Sequence, residues 1–249
     1  MSENTFESIL PTSVRDGLNG PVTAKLLPEY GAIFVASGGA VPPETLVFRD
    51  EAEVDRFQRS VEIGAVNFGE IKIELQRPAA EALAKAVEAA RDIGLSITPR
   101  SADSGRRRFA DTIELWLSRV EPALEHWVAT GKLDAEQAEE IRRLSPVDQV
   151  PQVFALEERG LWFAKDLSKS IIYSVAPPGA SQHLSMLAFD VTEFNQPAVR
   201  KVLAEQCWYQ TVVSDLPHFT YLGIPESDLP DSGLKQISHL DRPFWVPEI

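Results

Sequence analysis

From Phe109 onward, apolar side chains recur at 109, 113, 116, 117, 120, 124, 127 and 128, steps of 4, 3, 1, 3, 4, 3 and 1 that lay one stripe along a helix. The stripe predicts a long core-facing helix in which Trp116 and Trp127 are packing residues. A second helix is predicted over 78–94, with apolar residues at 79, 80, 83, 86, 87 and 90, Pro78 at its first position and Gly94 just past its end. Shorter ones follow Asp50 (Val54, Phe57 and Val61 at helical spacing), run from Asp134 to about Leu144, and open at Asn195-Gln196-Pro197 to end near Cys207. Strands are predicted at 32–37, 45–49, 71–75 and 95–98, and the runs 169–174, 187–192 and 209–214 are strand-like. Residues 1 to about 30, and the stretch opened by Pro146 and Pro151, read as irregular. Helices and strands mix without a regular β-α-β alternation, which predicts an α+β fold, a small antiparallel sheet flanked by helices, in one compact unit.

With 44% hydrophobic and 24% charged residues, the chain can bury a full core. The balance of 24 Lys+Arg against 37 Asp+Glu gives −13 at pH 7, a surface that repels phosphate backbones and anionic headgroups, so nucleic-acid partners are disfavoured. No apolar run approaches the roughly 18 residues that span a bilayer, so membrane insertion is not expected. The polar, acidic N-terminus does not read as a secretory leader, which points to a cytoplasmic location for the chain as given and to the cell envelope if a leader was removed. Cys207 is the single cysteine, so a metal would be held by carboxylates and the four histidines.

The chemistry concentrates in PPGASQHLSMLAFDV, residues 177–191. A Pro-Pro-Gly loop delivers Ser181 and His183, and Asp190 follows inside a strand. Burying that carboxylate is costly unless it is paired or bound to metal, and His183 supplies a natural second ligand. His218, three residues after Asp215, would be the third. Two His and one carboxylate leave a fourth position on zinc for water, as a hydrolase needs. The spacing by itself also fits hydrogen-bonded structural residues. Gly38-Gly39 reads as a turn, His126 and His239 as surface residues, and Cys207 as a small buried hydrophobe.

Read together, Ser181-x-His183-x-x-Met186-x-Ala188-x-Asp190 and Asp215-x-x-His218 resemble the signature of the D-alanyl-D-alanine carboxypeptidase and dipeptidase family of zinc peptidases, the VanY/VanX type. That signature reads Ser-x-His-x-x-Gly-x-Ala-x-Asp, then Glu-x-x-His. The helix over 78–93, the strand at 95–98 and the loop Ser104-Gly105-Arg106-Arg107-Arg108 resemble the family's helix, strand and Ser-Gly-Tyr-Arg-Ser segment. The resemblance covers about 78–223. It implies a zinc-peptidase-like domain over 76–249 with the metal site at the sheet, an N-terminal extension over 1–75 packed on it, and inserted helices between 109 and 160.

The resemblance further implies that His183, Asp190 and His218 bind Zn2+ and that Asp215 is the general base. Arg107 would bind substrate oxygen, and Ser181 would hydrogen-bond substrate near the metal. The implied partner is a peptide, a peptidoglycan stem peptide ending in D-alanyl-D-alanine; nothing in the chain sets an oligomeric state. The alternative is a non-catalytic zinc-binding module of the same fold that recognises a peptide or wall fragment; a metal-free scaffold is a third reading. Three departures stand out. Met186 replaces Gly, which calls for backbone angles open to a Cβ and brings a bulkier side chain to the site. Asp215 is one methylene shorter than Glu, drawing the carboxylate back by about 1.5 Å, on a scale where about 1 Å costs up to 10²-fold in rate. Pro217 stands where the family has an aromatic residue.

Overall fold

The computed structural model describes residues 5–249, and the segment read as irregular opens with three helices, α1 (Thr5–Ile9), α2 (Thr12–Arg15) and α3 (Pro21–Tyr30). Each is too short to display a periodicity, and each is held by what it buries: Phe6, Val14, Leu26 and Leu27. Residues 31–35, predicted as part of a strand, form a 3-10 turn instead. Ala32, Ile33, Phe34 and Val35 are all buried, and a short run that is apolar all round carries no period to separate the two. The predicted strand at 45–49 is also absent; its one sheet-like contact is Phe48 N donating to the Gly179 carbonyl at 3.0 Å.

Helix α4 (Glu51–Ser60) starts where Asp50 predicts, with its Oδ1 accepting from Glu53 N at 2.8 Å. It is followed by β1 (Ile63–Phe68), which the sequence reading missed, paired antiparallel with β2 (Ile71–Gln76). The boundary at residue 75 thus falls inside β2. Helices α5 (Arg77–Asp92), α6 (Phe109–Ala129) and α7 (Ala135–Arg143) match their patterns. The stretch expected to be irregular after Pro146 is α8 (Pro146–Glu158). Pro146 sits in its first turn, where no N–H is needed, and Ser145 Oγ caps it by accepting from Asp148 N. Pro151 forgoes one helical hydrogen bond, a loss outweighed by burial of Val150, Val153 and Phe154.

The site is carried by a three-stranded antiparallel sheet in the order β3 (Ala188–Asp190), β5 (His218–Tyr221), β4 (Trp208–Tyr209). Helix α9 (Pro197–Glu205) connects β3 to β4, and β6 (Leu234–His239) with β7 (Arg242–Pro247) forms a C-terminal hairpin, so His239 lies in a strand and not in a polar tail. Residues 95–98 are not a strand: the segment runs beside β3, but Pro99 lacks an N–H and pairing shrinks to a single bridge, Pro99 to Val191. Residues 169–174 hold only a 3-10 turn, and of 209–214 only Tyr209 is in a strand.

Two cores result. One gathers the sheets, α5 and α9 with N-terminal residues such as Phe6, Leu10 and Val35. The other joins α3, α6, α7 and α8 around Trp116, Trp127 and Phe154. Among the described residues no helix is long and apolar enough to cross a membrane.

Met186 corrects the expectation from its replacement of Gly. Its backbone keeps the left-handed conformation, φ 56° and ψ 30°, and its side chain is fully buried and does not line the cleft described below. Truncating a buried Met costs about 2–5 kcal/mol and left-handed strain about 1–2, so packing outweighs strain. Met186→Gly should therefore destabilise the protein by about 1–3 kcal/mol in urea unfolding. Met186→Ala, which loses the packing and keeps the strain, should be worse by about 1 kcal/mol. Equal midpoints for the two variants would remove the strain from the account.

Candidate metal centre and cleft

Antiparallel pairing sets Asp190 on β3 directly opposite His218 on β5. His183 reaches the same point from the 3-10 turn Gln182–Ser185 that leads toward β3. One ligand atom from each of the three lies within 4.8 Å of the others, and all three residues are buried. His183 Nε2 stands 3.2 Å and His218 Nδ1 3.3 Å from the same oxygen, Asp190 Oδ1. The sequence reading grouped these three residues, and the fold brings all of them together.

The tautomers follow from the outer partners. His183 Nδ1 lies 2.7 Å from the Gly105 carbonyl, which can only accept, so Nδ1 carries the proton and Nε2 turns a lone pair toward Asp190. Gln182 Nε2 donates to the Tyr30 carbonyl at 2.9 Å, which fixes the amide with Oε1 toward His218 Nε2, also 2.9 Å away. His218 Nε2 therefore donates, and Nδ1 keeps the lone pair. Two lone pairs and a carboxylate oxygen facing one point repel one another and suit a divalent metal ion, with the outer hydrogen bonds orienting the rings as metal-ligating histidines require. Gly105 is needed for this: a Cβ there would stand 2.7 Å from Ile73 Cγ2 and 2.8 Å from the Glu74 carbonyl of β2, forcing the loop and its carbonyl away from His183.

Charge follows the same pattern. Burial, helped by the positive charge of Arg107, pushes His183 down to about 4 against the pull of Asp190, so the ring is neutral at pH 7. Burial raises the Asp190 carboxyl, and its contacts with His183 and His218 act the other way and hold the group well below the usual carboxylate range. The three arginines of the predicted binding loop part company. Arg106 is tied to Gln58 and Glu74, and Arg108 to Asp111, while Arg107 Nη2 donates to Asp190 Oδ2 at 2.8 Å. Arg107 lines the cleft, yet its guanidinium steadies the Asp ligand directly.

The cleft beside the three ligands has a volume of about 270 Å³, and Tyr30, Val175 and Val212 of its lining belong to the helical core. Ser181, Gln182, His183 and His218 line the sheet side, and Thr112, Leu115, Arg119 and residues 172–176 the helical side. Asp215 opens into it from the turn before β5, where its carbonyl accepts from His218 N. Although protein surrounds it, Asp215 remains water-accessible. Desolvation, and then the Asp190 charge, raise its carboxyl above the ordinary value, with His218 opposing; cleft water screens the effect.

Two more cleft residues carried no predicted role, although Gln182 is delivered by the same loop as Ser181 and His183. Tyr30, on the N-terminal α3, lines the cleft as a neutral phenol, raised well above its usual value by burial and by the charges of Glu29 and Asp215. Gln182 occupies an open position of the motif, between Ser181 and His183. His126 is exposed, and burial raises the half-buried Cys207 thiol, which does not suit it as a nucleophile. No family model matches this chain, and a search of the curated proteins gives no match either.

Chelator-treated protein should take up about one Zn2+ per chain in calorimetric titration, and His183→Ala, Asp190→Ala or His218→Ala should abolish uptake. Gln182→Leu, which frees His218 Nε2, should weaken it by about 10–100-fold. In the metal-free protein, native His183 stays unprotonated down to about pH 4 while the unfolded chain protonates near 6.5. The unfolded state thus binds the extra proton in that window. Stability should fall as pH drops from 6.5 to 4, by up to about 1.4 kcal/mol per pH unit, and His183→Gln should flatten that slope in urea titrations.

Proposed function

We propose that this protein is a zinc-dependent peptidase that hydrolyses D-alanyl-D-alanine-type termini of peptidoglycan peptides. The observation that carries the proposal is the pairing of a buried, outwardly braced His183–Asp190–His218 set with a water-accessible carboxylate, Asp215, in the same cleft. The resemblance of Ser181-x-His183, Asp190 and Asp215-x-x-His218 to the zinc-peptidase signature supports the same reading and supplies the substrate class.

His183, His218 and Asp190 would hold the metal ion. A zinc ion so bound supplies Lewis-acid polarisation of a carbonyl and lowers the pKa of water toward about 7. Asp215 takes a proton from the attacking water and returns it to the leaving amine, which its raised carboxyl favours by making it a stronger base than an ordinary Asp. Arg107 lines the cleft wall and steadies Asp190 in its place among the three ligands. Ser181, buried at the cleft edge, hydrogen-bonds the peptide. Tyr30, held neutral, can only donate or accept a hydrogen bond and takes no part in proton removal.

The test is release of D-alanine from a pentapeptide ending in D-Ala-D-Ala. Asp215→Asn should keep its zinc and lose about 10²–10⁴-fold in rate. The acid limb of kcat/KM should track protonation of Asp215 and vanish in Asp215→Asn, because protonation of that carboxylate ends base catalysis. Asp215→Glu separates a backbone fitted to Asp, where activity falls, from one fitted to Glu, where it rises. Zinc-loaded protein that cleaves no peptide, with Asp215→Glu equally silent, would leave the non-catalytic binding module as the better reading.

A further inference from the structure

Helix α6 presents Thr112, Leu115 and Arg119 to the cleft, positions i, i+3 and i+7 of one face. At 1.5 Å per residue Arg119 sits about 10 Å farther along the helix than Thr112, while Arg107, just before the helix, marks the end at the metal ligands. The two arginines of the cleft differ in state. Arg107 is neutralised by Asp190 at 2.8 Å and Asp103 at 3.8 Å. Arg119 has only neutral partners: Nε donates to Ser174 Oγ at 2.7 Å, and Nη1 to Ser118 Oγ at 2.9 Å and to the Ser118 carbonyl at 3.3 Å. Nη2 has no acceptor among the described residues, and no acidic side chain pairs with the guanidinium. Arg119 is thus a half-buried cleft arginine that no carboxylate of the described residues neutralises, in a chain with 37 acidic residues against 24 basic ones.

Its position is also fixed. Ser174 belongs to the wall segment that begins at Ser170 and Ile171, and both donate to the buried carboxylate of Glu157 on α8, at 2.6 Å each. Lys25 of α3 closes the same carboxylate at 2.7 Å. A guanidinium positioned by a braced neutral hydroxyl, with one amino group turned out, is suited to receive an anion from solution.

We propose that Arg119 determines substrate specificity by receiving a carboxylate of the peptide on the amino-terminal side of the bond that is cut. An extended peptide advances about 3.3 Å per residue, so the roughly 10 Å from Thr112 to Arg119 spans three residues, and the carboxylate is carried at the third residue before that bond or farther from it. The substrate class is a peptide with an acidic residue there. The inference deepens the peptidase reading, which sets the direction along the cleft.

The probes are acetyl-Glu-Ala-D-Ala-D-Ala and its Gln and Lys counterparts, which share the terminal carboxylate and differ at that third residue. Zinc-loaded protein should prefer Glu over Gln by about 10–100-fold in kcat/KM, mainly through KM, with Lys poorer still. Arg119→Gln should take up zinc normally and level the series, and Arg119→Glu should favour Lys. Calorimetric binding of the same peptides to zinc-loaded Asp215→Asn should follow the same order without turnover. Cleavage without a Glu preference, or with one that survives in Arg119→Gln, overturns the role of Arg119 and leaves the peptidase reading standing. Arg119-dependent binding of the Glu peptide without cleavage of any of the three supports the receptor and overturns the peptidase. Neither cleavage nor selective binding overturns both.

Discussion

Two imidazole lone pairs and a carboxylate oxygen facing one another in a buried space form an arrangement that a protein core does not tolerate for its own sake. Here the convergence of His183 and His218 on Asp190 Oδ1 is held open by the groups behind each ligand: the Gly105 carbonyl, the Gln182 amide and the Arg107 guanidinium. Each of these is fixed in turn. Gly105 lies against β2 with no room for a side chain. Gln182 also accepts from Thr220 Oγ1 on β5, and Arg107 N lies against the His183 carbonyl while Gln58 of α4 spans the Arg107 and Leu184 carbonyls. The repulsion at the centre is therefore spread over four elements, and relaxing it without a cation means moving all of them.

The N-terminal segment belongs to this bracing. Helix α3 makes three long-range ties around the cleft: Lys25 to Glu157 behind the helical wall, Glu29 to Ser214 N beside Asp215, and the Tyr30 carbonyl to Gln182 behind His218. The apolar residues of the same segment pack into the core beneath the sheet. A stretch outside the recognisable motif thus fixes the orientation of one ligand, one wall and the turn carrying the carboxylate. That is why residues 5–36 fold as short buried helices and turns and not as a loose extension.

The ligand set was legible because its members lie in a local motif: His183, Asp190 and His218 fall on a turn and two short strands whose pairing brings i and i+7 within reach of a residue 28 positions later. The long helices were legible because a buried stripe repeats often enough to be read, as at Trp116, Val120, Leu124 and Trp127. What failed was short or two-faced. The 31–35 turn is apolar on every side, β1 alternates intermediate with exposed residues and buries none of them, and α8 begins with a proline that serves equally as breaker and as first residue. Tyr30 and Arg119 left no local trace as cleft residues, since only tertiary packing sets them beside Asp215 and Ser174. Arg107 was legible as a cleft residue but not as a partner of Asp190, which depends on how the loop folds back across β3.

The overall charge of −13 and an arginine-lined cleft are compatible because they act over different distances. At physiological salt, fields from exposed carboxylates fade over about 8 Å, so the acidic surface discourages extended polyanions that must lie across it. A small anion entering the cleft would meet only the near groups. There, among the described residues, Asp190 is already compensated by Arg107, Asp215 is the one carboxylate that lines the cleft, and Arg119 carries a charge that no acidic side chain pairs with. An acidic surface thus disfavours a long phosphate backbone, while a single carboxylate would gain most beside Arg119, which no acidic side chain of the described residues pairs with.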